Sequence, residues 1–307
     1  MALRCLFVLT GVVLNSQRLA ATQLKPLRKD NGDDGVVCIS IAAFEATDYV
    51  EALIKNVLHF AEPTTKVAMH LNTHSNYSHE WLHSLETDRV TVTKRRIAVK
   101  PFKGSILYAH MLNAETMDKR WHKTCDYFVL QASNMMWVRS GYEAEVRQRR
   151  WGQIVKHERR GCQHGHDITE EILEGGKGLY AWGQPEGSFY PMDTVRGFRD
   201  MMADYLKRNN DHDGSLVIHA LCYLEAFTLQ TYALNFDDIP DVDSHAEARP
   251  LSWNHIHGPK GKDFVPMAEV KEISRGASGW EGYYAVKRVQ RDLTHPVTRF
   301  ITEHLCE

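Results

Sequence analysis

Val36-Val37-Cys38-Ile39-Ser40-Ile41 is a continuous apolar run, the pattern of a strand covered on both faces. Asp48 follows as a candidate N-cap, ahead of Val50, Leu53, Ile54, Val57 and Leu58 at helical spacing. Lys66 to Leu71 then reads as a strand, Tyr77 to Leu85 as a helix and Val90-Thr91-Val92 as another strand. Ile106 to Met117 is helical in pattern, and Tyr127-Phe128-Val129-Leu130 is a short buried strand. Strands that alternate with helices imply an α/β architecture with a mostly parallel central sheet flanked by helices. Such sheets bind ligands at the carboxyl ends of their strands.

Upstream of this unit, Thr22 to Gly35 is polar and carries Pro26, Asn31-Gly32 and Asp33-Asp34-Gly35, a linker composition. The first residues run Met1-Ala2-Leu3-Arg4, then an apolar stretch from Cys5 to Leu14, then small and polar residues through Ala21. That order is the one expected of a signal peptide over residues 1–21, the apolar run being too short to span a bilayer. The alternative is a short hydrophobic N-terminus. Cleavage would leave Cys38, Cys125, Cys162, Cys222 and Cys306, an odd set in which at least one thiol stays free or pairs between chains. Asn76-Tyr77-Ser78 is an N-glycosylation sequon, consistent with a lumenal chain.

Downstream, Arg147 to Gly178 turns to Arg, His, Gly and Glu and reads as a charged surface excursion. Order resumes with a helix from Asp193 to Arg208, a long apolar segment from Ser215 to Phe236 and an acidic loop. Pro296 starts a last helix that ends near His304. At 307 residues, 43% hydrophobic and 25% charged, the chain has enough apolar content for a sizeable core. Its net charge of −2 gives no overall field to hold nucleic acid.

Among chemically capable residues, Glu225 is the carboxylate embedded in the apolar segment after Asp213. Burial without a partner is costly for a carboxylate, and desolvation raises its pKa toward what a general base needs. A buried Glu paired with an Arg or hydroxyl accounts for the same letters. Lys287-Arg288 with Arg291 is the second feature, because a departing diphosphate needs a metal or fixed cations. A basic pair is also common on a solvated face. Asp241-Val242-Asp243 has the letters of a metal-binding Asp-x-Asp but lies in the acidic loop. Cys162, His164, His166 and Asp167, like His255 and His257, lack a partner pair at zinc spacing. No Gly-x-Ser-x-Gly elbow, dinucleotide fingerprint, P-loop or kinase set is present.

Taken in order over residues 36–302, these segments resemble the core-2/I-branching β-1,6-N-acetylglucosaminyltransferase family, which includes the protein xylosyltransferases. Val67-Ala68-Met69-His70-Leu71-Asn72 is similar to its second strand. Val99-Lys100-Pro101-Phe102-Lys103-Gly104-Ser105 is similar to its Val-x-Trp-Gly-Gly-x-Ser turn, without the tryptophan. Asp126-Tyr127-Phe128 leads to Leu130-Gln131-Ala132-Ser133-Asn134, with Asn134 near the position of a family Asp. Gly187-Ser188-Phe189-Tyr190 resembles the acceptor-side Gly-Ser-x-Trp, and Glu225-Ala226-Phe227 onward the Asp-Glu-x-Phe-x-x-Thr region that supplies the base. Arg249-Pro250-Leu251-Ser252-Trp253 is similar to an Arg-Tyr-Ile-Asp-Trp strand, and Tyr284 to Val289 to Phe-Ala-Arg-Lys-Phe.

The resemblance implies a single GT-A-like domain over 36–307 and an inverting, metal-independent glycosyltransferase with no cofactor. Its donor would be a UDP-sugar, N-acetylglucosamine being the expected sugar, and its acceptor a glycan or glycoprotein hydroxyl. Glu225 would be the base, and Lys287 with Arg288 or Arg249 would hold the diphosphate. Lys260, Lys262 and Arg275 are further possible upstream cations. Ser188, Tyr190, Trp253 and Asn134 would contact acceptor or sugar. Location would be the secretory pathway, in the Golgi lumen or at its membrane, with secretion as the alternative. Two rivals stand beside this reading: an inactive carbohydrate-binding relative, and a metal-dependent transferase or hydrolase using the His, Cys and Asp clusters.

Overall fold

The opening apolar run becomes strand β1, Val37–Ala43. Successive side chains of a strand point to opposite faces, so Val37, Ile39, Ile41 and Ala43 enter one buried cluster and Cys38 enters another. The computed structural model describes residues 35–101, 103–152, 167–220, 224–237, 239, 250–254 and 264–306, apart from the side chains of Asp167, Glu225 and Ala226. The chain divides into two units, Met1–Asp33 and Asp34–Glu307. The leader expected at the N-terminus lies outside the described residues.

The elements that follow β1 are α1 (Thr47–Phe60), β2 (Lys66–Leu71), α2 (His79–Ser84), β3 (Val90–Val92), α3 (Ser105–Arg120) and β4 (Tyr127–Ala132). Next come β5 (Met135–Trp137), α4 (Tyr142–Arg149), α5 (Asp167–Gly175), β6 (Phe189–Pro191), α6 (Met192–Arg208), α7 (Ser215–Ile218) and α8 (Leu224–Phe236). The described chain closes with β7 (Ser252–Asn254), α9 (Met267–Ser274), β8 (Ala285–Lys287) and α10 (Pro296–Arg299). Among the described residues the strands form a five-stranded sheet in the order β3-β2-β1-β4-β6 and a three-stranded sheet in the order β5-β8-β7. In the larger sheet β1 to β4 run parallel and β6 pairs antiparallel to β4.

The fold is therefore α/β, with a mostly parallel central sheet between helices. On one face α1 presents Tyr49, Val50, Leu53, Ile54, Val57 and Phe60, and the three-stranded sheet joins the same cluster. On the other face α3, α6 and α8 pack against Cys38, Phe128 and Leu130. Each large apolar side chain buried this way stabilises the fold by about 1.5–3 kcal/mol. A disulfide joins Cys38 of β1 to Cys125, just before β4, and Cys306 is a free thiol. No helix among the described residues is long and apolar enough to cross a membrane.

Local details depart from the sequence expectations for identifiable reasons. Asp48 is not the N-cap of α1: Ala46 takes that position, and the Asp48 carboxylate accepts the Tyr49 N–H at 2.8 Å from within the first turn. There its charge still suits the positive end of the helix. The helix expected from Tyr77 begins at His79, because Ser78 accepts the Trp81 N–H as its cap. The charged excursion from Arg147 begins inside the last turn of α4, and the long apolar segment breaks into α7 and α8. Pro296 does start the last helix, which widens to a π-helix over Phe300–Leu305.

Candidate active site

The order of strands decides where a ligand can sit. From β1 the chain steps outward through β2 to β3, then returns to place β4 on the other side of β1. The carboxyl ends of β1 and β4 thus part at a topological switch point, where the connections leave a crevice. A cleft of about 300 Å³ opens there, lined by Ala42 and Phe44 at the carboxyl end of β1, Gln131 to Asn134 at that of β4, and His110 of α3. A larger groove of about 480 Å³ is lined by residues of α3 and α6 and includes Arg95, Asp118 and Arg199.

Among the described residues two cations, Lys287 and Arg291, border the cleft. Lys287 lies opposite Met135 across the β5–β8 ladder, which brings it beside the Asn134 turn, and it forms an ion pair with Glu186. Arg291 spans the switch point. Its guanidinium lies 4.9 Å over the Phe44 ring, pairs with Glu45 and donates to Ser133 Oγ at 3.3 Å. Glu45, whose side chain is only 3% exposed, also accepts from the Ser133 hydroxyl. The Glu186 loop is held by main-chain bonds to both sheets: Gly187 N–H donates to Leu130 O at 2.7 Å, and Leu251 N–H to Gly187 O at 2.9 Å. Gly187 has φ +78°, and a Cβ there would come within 2.6 Å of the Ser252 nitrogen, so position and conformation both require glycine.

Beneath the cleft runs a buried polar chain. Asn113 donates to Ser40 Oγ and to Ile41 O, both at 2.9 Å, and Ser40 Oγ lies 2.7 Å from His110 Nδ1. Nearby, the Ile97 N–H donates to His70 Nε2 at 2.9 Å, which leaves the His70 proton on Nδ1, buried and without a partner among the described residues. Burial lowers the pKa of His70 to about 4 and, with added repulsion from His70, that of His110 to about 3. Both imidazoles are neutral near pH 7.

The structure brings together Asn134 and Lys287 of the residues singled out from sequence. Arg288 turns away at φ +66° and donates to Asn254 Oδ1 at 2.9 Å, while Arg291 takes the place at the cleft. Ser188 and Tyr190 are fully buried on β6 and the turn before it: the Ser188 hydroxyl donates to Pro185 O, and Tyr190 pairs with Phe128 of β4. Burial raises the Tyr190 pKa, and its hydroxyl meets no hydrogen-bond partner among the described residues. Trp253 belongs to an aromatic group with Trp280 and Tyr283 and donates to Glu269 at 2.7 Å. Asn76 is exposed between β2 and α2.

Glu225 lies in the first turn of α8, next to Leu224, which packs on Gly104 at the start of α3. The Glu225 side chain lies outside the described residues, as do Arg249, Lys260, Lys262, Asp241, Asp243, Cys162, His164, His166, His255 and His257. Among the described residues no group of three His, Cys, Asp or Glu side chains is placed to hold a metal ion. Sequence reading missed Glu45, Glu186 and His110. The available signals were an acidic residue just past the first strand and a histidine one turn after Ile106 on an otherwise apolar helix face.

Fold and cleft together define an α/β protein with a ligand crevice at its switch point, bordered by two carboxylate-paired cations. No protein-family model matches the chain, and no curated protein matches it. Among solved structures it is similar to the apo-form glycosyltransferase GlyE of Streptococcus pneumoniae TIGR4, at 12% identity and a TM-score of 0.29. That match covers 57% of this chain and 39% of the other, so the chain spans well under half the length of that protein. A likeness at this level bears on neither family nor function.

Proposed function

We propose that this chain is an inverting glycosyltransferase that binds a nucleoside-diphosphate sugar in the switch-point cleft. The observation that carries the reading is the position of Lys287 and Arg291 at the carboxyl ends of β1 and β4, where the diphosphate of such a donor would lie. In this reading Lys287 stabilises the departing diphosphate without a metal. Arg288 and Arg249 are the second cations suggested by the resemblance, and among the described residues Arg291 is the arginine at the cleft. Glu225 removes the proton from the acceptor hydroxyl as it attacks the anomeric carbon. The donor is a UDP-sugar, with N-acetylglucosamine as the sugar, and the acceptor is a glycan or glycoprotein in the secretory pathway. The Cys38–Cys125 disulfide supports an oxidising, lumenal setting.

The ion pairs favour one rival. Because Glu186 and Glu45 already neutralise Lys287 and Arg291, the same cleft suits a neutral saccharide in a protein that binds glycans without transferring sugar. Calorimetry of UDP binding to the full chain in excess chelator separates the two. The transferase reading expects binding without metal and a loss of roughly 10- to 100-fold in Lys287→Ala, the worth of a charge-assisted hydrogen bond. It also expects Glu225→Gln to keep UDP binding while losing transfer. Absence of UDP binding with or without Mn²⁺ would sink the donor site, and glycan binding in the same protein would establish the rival.

A further inference from the structure

The buried chain beneath the cleft fixes which nitrogen of His110 carries its proton. Ile41 O can only accept, so the Asn113 atom bonded to it is the amide nitrogen, which also donates to Ser40 Oγ. Ser40 Oγ therefore receives a proton from Asn113, and its own hydroxyl proton has one acceptor within reach among the described residues, His110 Nδ1. A buried hydroxyl that donates to nothing is costly, so Ser40 donates to Nδ1, and the neutral ring holds its proton on Nε2. The hydrogen bond found for the ring among the described residues is the one at Nδ1, Nε2 is not one of the wholly buried unpaired atoms, and His110 lines the cleft. The cleft thus has a fixed N–H donor in its wall.

The surroundings of that donor say what it reads. Ile106 lies one helical turn before His110, and Leu130 lies opposite Ser40 across the β1–β4 ladder. Val99 and Pro101 join the lining through the loop tied to Ser105, whose hydroxyl accepts the Lys100 N–H at 2.9 Å. The surroundings of His110 in the lining are thus apolar with one donor among them, while Lys287 and Arg291, paired with Glu186 and Glu45, and Ser133 supply the polar part of the lining. Resting on the donor-site reading above, we propose that the part of the cleft around His110 holds the nucleobase and that His110 Nε2–H donates to the ring carbonyl farthest from the ribose. In a pyrimidine that is position 4, a carbonyl in uracil and an amino group in cytosine. His110 is thereby a specificity-determining residue that accepts uracil and rejects cytosine, whose amino group would meet another donor.

The test compares calorimetric binding of UDP and CDP to the full chain and to His110→Leu and His110→Gln, with thermal melting confirming that each variant is folded. The expected result is that the natural chain prefers UDP by roughly tenfold or more. His110→Leu should lose about tenfold in UDP affinity and bring the UDP-to-CDP ratio near one. The glutamine amide can present either a donor or an acceptor, so His110→Gln should also relax the ratio. Nitrogen-15 NMR of histidine-labelled protein should show Nε2 protonated in the free chain and shifted by UDP. A ratio unchanged in His110→Leu, or a proton found on Nδ1, overturns the His110 assignment while leaving the donor site standing. Failure of the natural chain to bind either nucleotide overturns the donor-site reading itself, and this inference with it.

Discussion

His70 and His110 make the stability of the protein sensitive to mild acid. Both are neutral and buried in the folded state, with pKa values of about 4 and about 3 against an ordinary value of 6.5. The unfolded chain takes up protons on these rings below pH 6.5 and the folded chain does not, so their contribution is fully present above 6.5. It is lost as pH falls toward 4 for His70 and toward 3 for His110. Each group should add a slope of about 1.4 kcal/mol per pH unit inside its window. In His70→Gln, where an amide oxygen can still accept the Ile97 N–H, urea unfolding between pH 6.5 and 4 should lose about that much slope. An unchanged slope would remove His70 from this account. Residue types that need a partner were partly legible in the sequence: Lys287 and Asn134 drew notice by their motifs and do meet at the cleft. His110 gave little sign, because its role depends on Ser40, which is distant in sequence and joined to it only by the fold.

Among the elements, β1 and β4 carry the site, and a disulfide fastens one to the approach of the other. Cys38 is wholly buried and Cys125 nearly so, and the bond closes a loop across a separation of 87 residues. Long loops gain most from closure, and removal of such a bond costs about 2–5 kcal/mol. The double variant Cys38→Ala, Cys125→Ala should therefore unfold at lower urea than the natural protein. Dithiothreitol should lower the natural midpoint and leave the double variant unmoved; a reductant effect of equal size on both would place the sensitivity elsewhere. The longer elements were readable because they carry a full period. The spacing in α1 returns an apolar residue every three or four positions, and β2 and β3 follow their sequence runs. Strands β5 and β8 were not read as such from local pattern, since Met135–Trp137 and Ala285–Lys287 lack the β-branched run that marks the equally short β3. Their pairing is what brings Lys287 to the cleft, so a key part of the site was invisible at this level.

For the unit from Asp34 to Glu307, the two buried clusters lie on opposite faces of one sheet and share its strands, so neither can be lost while the sheet stays intact. The α/β alternation was legible because it repeats along the chain. The second sheet was not, because strands as far apart as Met135 and Lys287 meet only through tertiary pairing. This architecture predicts one cooperative unfolding transition, with the amides of α1 on one face and of α6 on the other exchanging through the same global opening. Both sheets also border the cleft, through Gln131 on one and Lys287 on the other. A ligand seated there should therefore stabilise the two faces equally. With UDP at a hundred times its dissociation constant, the opening free energy should rise by about 2.7 kcal/mol. Hydrogen exchange measured by mass spectrometry with and without UDP checks this, reading peptides from α1, α6 and β8. Equal increases in all three would tie the cleft to global stability. Protection gained only near β8, with α1 and α6 unchanged, would mean that the small sheet opens on its own and that the two faces do not form one cooperative unit.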